Sequence, residues 1–335
     1  MKRLSNQQHV NQPRNDQPIV KRPNAKWQNV NRRQALACGA AIALTATSQR
    51  DARATEGISV EEISQDKGHQ ICVFTKPFNS LSFDELADRI AELGFNGIEA
   101  PIRPKGHIEP ADVEEELPKL VEALKKRGLE ITVLTSNIAS AEDPLDRSVL
   151  AIAASLGIKR YRMQYLKYDL SRPVVDQIKE WKPQLRELAE LNKELGIKAI
   201  YQNHASNKNL GATIWDLREV LEGISPEHIA VAYDIRHAIV EGGMSWPISF
   251  NMIRPHIDTV YVKDFIWKGP KVVNVPLGEG LVSQRFFKLL KASKFAGPIS
   301  LHEEYLDHKR AELVPDHLVA MKKDLATLKN MISKS

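Results

Sequence analysis

The sequence has few of the residues that would point to a cross-linked, membrane-embedded or nucleotide-binding protein. Among 335 residues there are two cysteines, Cys38 and Cys72. That excludes a disulfide scaffold and a multi-thiolate metal site. No uninterrupted apolar run reaches the ~18 residues of a spanning helix, so no membrane span is expected. The first apolar strand-like segment leads into Thr75-Lys76-Pro77-Phe78, not a glycine-rich phosphate turn, and no P-loop occurs, so no nucleotide cofactor is expected. A one-signed charge is missing too. The formal net charge of +5 comes from residues 1–54, which hold ten Lys/Arg and two acids. Residues 55–335 carry 37 basic and 40 acidic side chains, a net −3. No global attraction for nucleic acid remains. What is present, 42% hydrophobic and 27% charged residues, is the composition of an ordinary soluble globular chain.

Residues 1–54 read as an address. Asn31-Arg32-Arg33-Gln34-Ala35-Leu36 precedes a mildly apolar stretch, Ala35–Thr47, and then Ala52-Arg53-Ala54. A basic segment, a short apolar segment and an A-x-A cleavage signal follow in that order. The twin arginine resembles a twin-arginine (Tat) export signal; the alternative is a disordered basic tail joined to a short helix. A lipoprotein reading of Leu36-Ala37-Cys38 fails, because the apolar segment would have to precede the cysteine. Cleavage after Ala54 would leave one thiol and no internal disulfide. Export to the periplasm or exterior, with the Tat machinery as partner, is the expectation. Residues 55–69 read as a linker and 70–335 as one domain.

That domain alternates strand-like and helix-like segments eight times. The strand-like segments are Gln70–Thr75, Gly97–Pro101, Glu130–Thr135, Lys159–Gln164, Ile197–Gln202, Ile229–Asp234, Thr259–Lys263 and Pro298–Glu303. The helices between them are Ser82–Leu93, Asp112–Lys126, Leu145–Ser155, Pro173–Glu194, Ala212–Leu221, a weak one around Trp246–Arg254, Ser283–Ala292 and a closing one near Pro315–Ile332. Ser82-Phe83-Asp84-Glu85 is a capping box, and Gly94 a stop. The strands are short, β-branched and nearly continuous in apolar character, as parallel strands covered on both faces are. Eight units in this length predict an α/β fold, a (β/α)8 TIM barrel. An open doubly wound sheet is the second choice.

In such a barrel the chemistry sits where strands end. The ends carry Thr75-Lys76; Arg103 and His107; Ser136-Asn137; Arg162, Gln164 and Tyr165; Gln202-Asn203-His204; Asp234 and His237; Lys263-Asp264; and His302-Glu303-Glu304. Glu303 is expected to face outward. Lys263, desolvated behind Val260-Tyr261-Val262, could have a lowered pKa and serve as base or electrophile. Gly278-Glu279-Gly280 could turn backbone N–H groups toward a hydroxyl or phosphate.

Asn203-His204, Asp234-x-x-His237, Val262-Lys263-Asp264, Pro276-Leu277-Gly278-Glu279-Gly280 and Ile299-Ser300-Leu301 before the last acids together resemble the xylose isomerase-like TIM-barrel family over about residues 70–310. The resemblance implies a sugar isomerase or epimerase that removes a proton beside a carbonyl. It implies one divalent cation (Mn, Mg, Co or Zn) held by Glu, Asp, His and Glu from the last four strands. Here the chain departs from the family. Gln202 stands at the fifth-strand Glu position, Asp234 matches, Tyr261 replaces the seventh-strand His, and His302 stands at the eighth-strand Glu position, with Glu304 two residues on. Two readings stay open: a cation on Gln202, Asp234, His302 and Glu304, or a metal-free site in which Lys263, Arg162 and Arg103 supply positive charge. Under the resemblance Lys263, His204, His237 and Glu304 are the catalytic candidates. Arg103, His107, Arg162, Asn203, Gly278 and Glu279 are the substrate-binding ones. The expected partner is a small carbohydrate; a homo-oligomer stays open. A lyase or hydratase acting on keto-glycosides and a non-catalytic sugar-binding barrel are the alternatives. An apurinic endonuclease is disfavoured by the −3 charge, the missing ligands and the export signal.

Overall fold

The structure, a computed structural model, describes residues 68–335. The export leader, its cleavage point, Cys38 and all but the end of the linker lie outside the described residues. Eight parallel strands close a barrel: β1 (Ile71–Phe74), β2 (Gly97–Pro101), β3 (Glu130–Thr135), β4 (Arg160–Arg162), β5 (Lys198–Gln202), β6 (Ile229–Asp234), β7 (Ile257–Val262) and, after a hairpin, β10 (Ile299–Leu301), which pairs β7 on one side and β1 on the other. This is the expected (β/α)8 barrel.

The period of two along each strand divides its side chains between two cores. Val133, Ile200, Ala230, Ala232 and Tyr261 form a small cluster inside the ring. Their neighbours Leu134, Tyr201, Val231, Tyr233, Val260 and Val262 join the larger core shared with the helices. Helix α1 (Phe83–Leu93) shows how a helix is fixed to that shell. Ser82 accepts from the Glu85 N–H and Glu85 reaches back to Ser82, as the capping box requires, and Gly94 ends the helix in the left-handed conformation. Leu86 and Ile90 are fully buried, each worth roughly 2 kcal/mol of burial.

Two elements were not expected. Helix α6 (Ile235–Gly242) starts directly behind β6, with the Asp234 side chain accepting from the His237 N–H; the expected helix at this point follows as α7 (Trp246–Ile253). After β7 the chain forms an antiparallel hairpin, β8 (Asp264–Lys268) and β9 (Lys271–Val275), turning at Gly269 (φ +59°). Two register shifts, between Ile98 and Glu99 and between Val231 and Ala232, lie at or just before an acid of the barrel interior, where bulges re-aim side chains.

The hairpin is anchored by Asp264. Its carboxylate accepts from the N–H groups of Phe265 and Val282 on Oδ1 (2.8 and 2.9 Å) and of Gly278 and Gly280 on Oδ2 (3.0 Å each). A Cβ on Gly280 would lie 2.3 Å from Asp264 Oδ1 and 2.4 Å from the Phe265 carbonyl, so only glycine fits. The Gly278 and Gly280 amides are thus spent on Asp264, and the Glu279 amide on the Pro276 carbonyl (3.1 Å), so none faces a ligand. Asp264→Ala strands four backbone donors, at about 1–3 kcal/mol per buried group. We expect urea unfolding to show a loss of at least about 3 kcal/mol; an unchanged midpoint contradicts the anchoring role.

Candidate active site

The C-terminal end of the ring collects two linked polar networks from the inward-facing positions. The first is centred on Glu99, in the middle of β2 and fully buried. Its Oε1 accepts from Thr135 Oγ1 (2.6 Å) and its Oε2 from Ser300 Oγ (2.8 Å) and His302 Nε2 (2.9 Å), while Arg162 Nε lies 3.7 Å from Oε1. Burial alone would raise the Glu99 carboxyl, but His302 and Arg162 with these hydrogen bonds bring it down to about 2. Glu99 was not among the residues expected at the site. Its signal was a lone acid inside the apolar run Gly-Ile-Glu-Ala-Pro, where an unpartnered carboxylate is too costly to keep.

The second network runs around the rim. Arg162 donates to Tyr165 Oη (2.6 Å) and to Gln202 Oε1 (3.2 Å), and Tyr165 Oη donates to Gln202 Oε1 (2.5 Å). With its oxygen so used, Gln202 turns its amide nitrogen to Asp234 Oδ2 (2.8 Å); donors on one side and a carboxylate on the other fix the amide orientation. Lys263, 4% exposed, then closes the chain: its Nζ lies 3.2 Å from Asp234 Oδ2 and 3.0 Å from Glu304 Oε2. Burial alone would lower the Lys263 pKa, but Asp234 and Glu304 outweigh it and raise it above the ordinary 10.5. Lys263 is thus a fixed ammonium. Of the two roles open from the sequence, base and electrophile, only the second is compatible with that charge. Burial would likewise raise the Glu304 carboxyl, but Lys263, then His302 and Lys76, hold it far below the usual range.

Aromatic rings line the adjoining wall. His204 sits between Tyr165 and His237, with ring centroids 4.9 and 3.9 Å away and the planes tilted by 51° and 38°. His204 Nδ1 lies 3.0 Å from the Ala205 carbonyl, which can only accept. The proton is thereby placed on Nδ1 and the lone pair on Nε2. Burial and the Lys263 charge lower the His204 pKa to about 4, so the ring is neutral at pH 7. His237 is fully packed, and Arg236 donates to its Nδ1 (2.8 Å); burial and the surrounding cations push its pKa well down. Asn203 exchanges two hydrogen bonds with the Asp234 backbone (2.8 and 3.0 Å) and so positions the acid.

The structure thus gathers Arg162, Gln202, Asn203, His204, Asp234, His237, Lys263, His302 and Glu304 into one cup. Arg103 lies at its mouth. His107 bonds Thr75 Oγ1 (2.8 Å) at the end of β1, and burial lowers its pKa to about 4. Gly278 and Glu279 are not brought in: the first serves Asp264, and the second pairs with Lys323 at the surface (2.7 Å). Glu303 points away from the cup, as strand parity requires, but is buried against His317 of α9 (Val314–Ser333).

Among the described residues no group of three or more His, Cys, Asp and Glu is placed to hold a metal ion. The geometry explains why. Asp234 and Glu304 converge on the Lys263 ammonium and Gln202 offers Asp234 a nitrogen donor, while His302 meets Glu99 through Nε2 and keeps Nδ1 unpartnered, 3.9 Å from Glu304 Oε1. Tyr261 is buried inside the ring against the His302 face, centroids 4.4 Å apart. With Lys263 Nζ between its two carboxylates, the set Gln202, Asp234, His302 and Glu304 is not arranged around a divalent cation. A divalent ion between the two carboxylates would meet a positive charge already there.

Residues 87–330 match the family model described as xylose isomerase-like TIM barrel. No curated protein is significantly similar in sequence. Solved structures share the fold at low identity. The 3-keto-D-glucoside 4-epimerase of E. coli is 16% identical with TM-score 0.61, covering 78% of this chain and 100% of its own. The IolI protein with a binding zinc atom is 16% identical with TM-score 0.64, covering 79% and 98%. A protein described as a probable 3-DHS dehydratase of petrobactin synthesis from Bacillus anthracis is 17% identical with TM-score 0.61, covering 78% and 99%.

Replacing Lys263 by Met should expose what the ammonium holds together. Two carboxylates are left facing each other, and stability at neutral pH should fall by about 3 kcal/mol. In the wild type the depressed Glu304 pKa contributes stability above the ordinary carboxylate value of 4.5, lost as pH falls below it. The variant lacks that contribution, so the gap between the two should narrow as pH drops through 4.5. Denaturant unfolding at several pH values reads this; a variant as stable as wild type at pH 7 contradicts it.

Proposed function

Because the chain belongs to the xylose isomerase-like TIM-barrel family, we propose that it is a sugar isomerase or epimerase that removes a proton from the carbon beside a carbonyl. The observation that carries this reading is the pairing of a fixed ammonium, Lys263, with a neutral imidazole of defined tautomer, His204, at one barrel mouth. In the first step His204 Nε2 takes the carbon-bound proton. The C–H electron pair becomes the carbon–carbon double bond, and the carbonyl π pair moves onto oxygen. Lys263 faces the oxyanion so formed, with Asp234 and Glu304 keeping the ammonium protonated and aimed. Delivery of a proton from water to the other face of the same carbon, with His204 giving its proton up to solvent, yields the epimer; return of the proton from His204 to the former carbonyl carbon, with the neighbouring hydroxyl proton passing to the oxyanion, yields the isomer. No step passes through a metal ion, because Lys263 Nζ stands between the two carboxylates that would hold one.

A lyase or hydratase shares the first step and then expels the group on the next carbon. The fold neighbour described as a dehydratase supports keeping this second reading. The leader read in residues 1–54 makes export part of the proposal, with substrates met outside the cytoplasm.

Proton–deuterium exchange in D₂O tests the shared step on ketoses and keto-glycosides. We expect deuterium beside the carbonyl in the wild type. Lys263→Met should lower the rate by about 10²–10³-fold, and His204→Gln by about 10²–10⁴-fold. Absence of exchange with every sugar, or full exchange in both variants, contradicts the reading.

The pH profile provides a separate check. As pH falls, protonation of His204 removes the lone pair; as pH rises, deprotonation of Lys263 removes the electrophile. Exchange should therefore be lost below about 4 and persist to above 10.5. An acid limb at the ordinary histidine value of 6.5 contradicts His204 as the base.

A further inference from the structure

Beside the cup, between the ends of β1, β2 and β10, opens a cleft of about 870 Å³. Its charged lining is one-signed: Lys76, Arg103, Lys105 and Lys309 contribute, no Asp or Glu belongs to it, and His308 and Asn137 add polar groups. Some cations of this chain meet carboxylates directly, as Lys119 meets Glu115 and Arg127 meets Asp84 and Asp88. Among the described residues no carboxylate lies within 4.0 Å of Arg103. Lys76 reaches only the edge of Glu304, at 4.0 Å from Oε1, and that carboxylate is already committed through Oε2 to Lys263.

Both cations also rest on one aromatic ring. Lys76 Nζ and Arg103 Cζ sit 5.7 and 5.9 Å from the centroid of the Phe74 ring, the geometry of a cation–π contact. The same ring packs on His302, centroids 5.0 Å apart. One aromatic side chain thus joins the cleft to the cup. Burial pushes the Lys76 pKa down, and its neighbours Lys263, Arg103 and Arg162 add to this against Glu304. Burial and then Arg162 lower that of Arg103. Two half-buried like charges facing one cavity are relieved by an anion.

We infer that this cleft binds an anionic group of the substrate, a carboxylate or a phosphate, with Lys76 and Arg103 as its two cations. The substrate class is then a sugar acid or a sugar phosphate and not a neutral sugar. The inference rests on the proposed reading that the adjoining cup acts on a sugar derivative, and it names the charge that derivative carries.

Calorimetry on the full chain tests it with three probes sharing one frame: D-glucuronate, D-glucose 6-phosphate and D-glucose. We expect at least one anion to bind about tenfold or more tighter than glucose, and which one distinguishes carboxylate from phosphate. That preference should weaken from about 10 mM to about 150 mM ionic strength, as the Debye length shortens from about 30 to about 8 Å. Lys76→Gln/Arg103→Gln should abolish it, and Arg103→Lys should retain part of it, with thermal unfolding confirming that each variant is folded. Anions binding no more tightly than glucose, or a preference that survives in the folded double variant, overturns the inference. The readout is binding, so loss of the preference leaves α-proton exchange standing, and loss of exchange leaves the preference standing.

Discussion

The ammonium of Lys263 lies between two carboxylates that come from different parts of the chain, Asp234 at the end of β6 and Glu304 just beyond β10. A buried ammonium alone would lose its proton, and two buried carboxylates alone would gain one. Together they form an array in which one ammonium lies within 3.2 Å of both carboxylates, and Lys76 stands 4.0 Å from Glu304 on its other oxygen. The other polar contacts of the cup complete it. Gln202 donates to Asp234, Asn203 binds the Asp234 backbone, and Asn274 on the hairpin donates to the Glu304 carbonyl while accepting from Arg236. The hairpin and its Asp264 anchor thereby act as a brace for Glu304.

This arrangement gives the site a different electrostatic design from one built on a divalent ion. A metal can bind two substrate oxygens at once and needs several anionic or neutral lone pairs around it. An ammonium supplies one charge and directional donors. The chain shows matching features: the Gln202 amide donates to Asp234, and the Lys263 ammonium stands between the two carboxylates. Glu99 in turn faces Arg162 and accepts from His302, so the barrel interior carries two linked clusters of charged groups.

Much of the framework was legible in the residues. The eight strand segments, the Ser82–Glu85 cap and the placement of polar residues at strand ends follow from period, capping chemistry and barrel geometry. Strand parity also put Glu303 and Glu304 on opposite faces. Other features depend on partners distant in sequence. Glu99 sits in mid-strand and was passed over by attention to strand ends, although its burial required a partner. The Gly-Glu-Gly turn had amides to offer, but that they would close on Asp264 is a property of the hairpin. Gly269-Pro270 between Phe265-Ile266-Trp267 and Val272-Val273 was a readable turn that the barrel pattern overshadowed. Whether Lys263 would be a neutral base or a fixed cation could not be read locally, because the deciding charges arrive from two other strands.

The central claim is that a lysine ammonium takes the position between Asp234 and Glu304 where a metal ion would otherwise be held. Diffraction from crystals of the protein grown with Mn²⁺, recorded for anomalous scattering, tests it most directly. The account predicts Lys263 Nζ within hydrogen-bond reach of both carboxylates and no anomalous peak in the cup. A manganese peak ligated by Asp234 and Glu304, with Lys263 displaced, would contradict it.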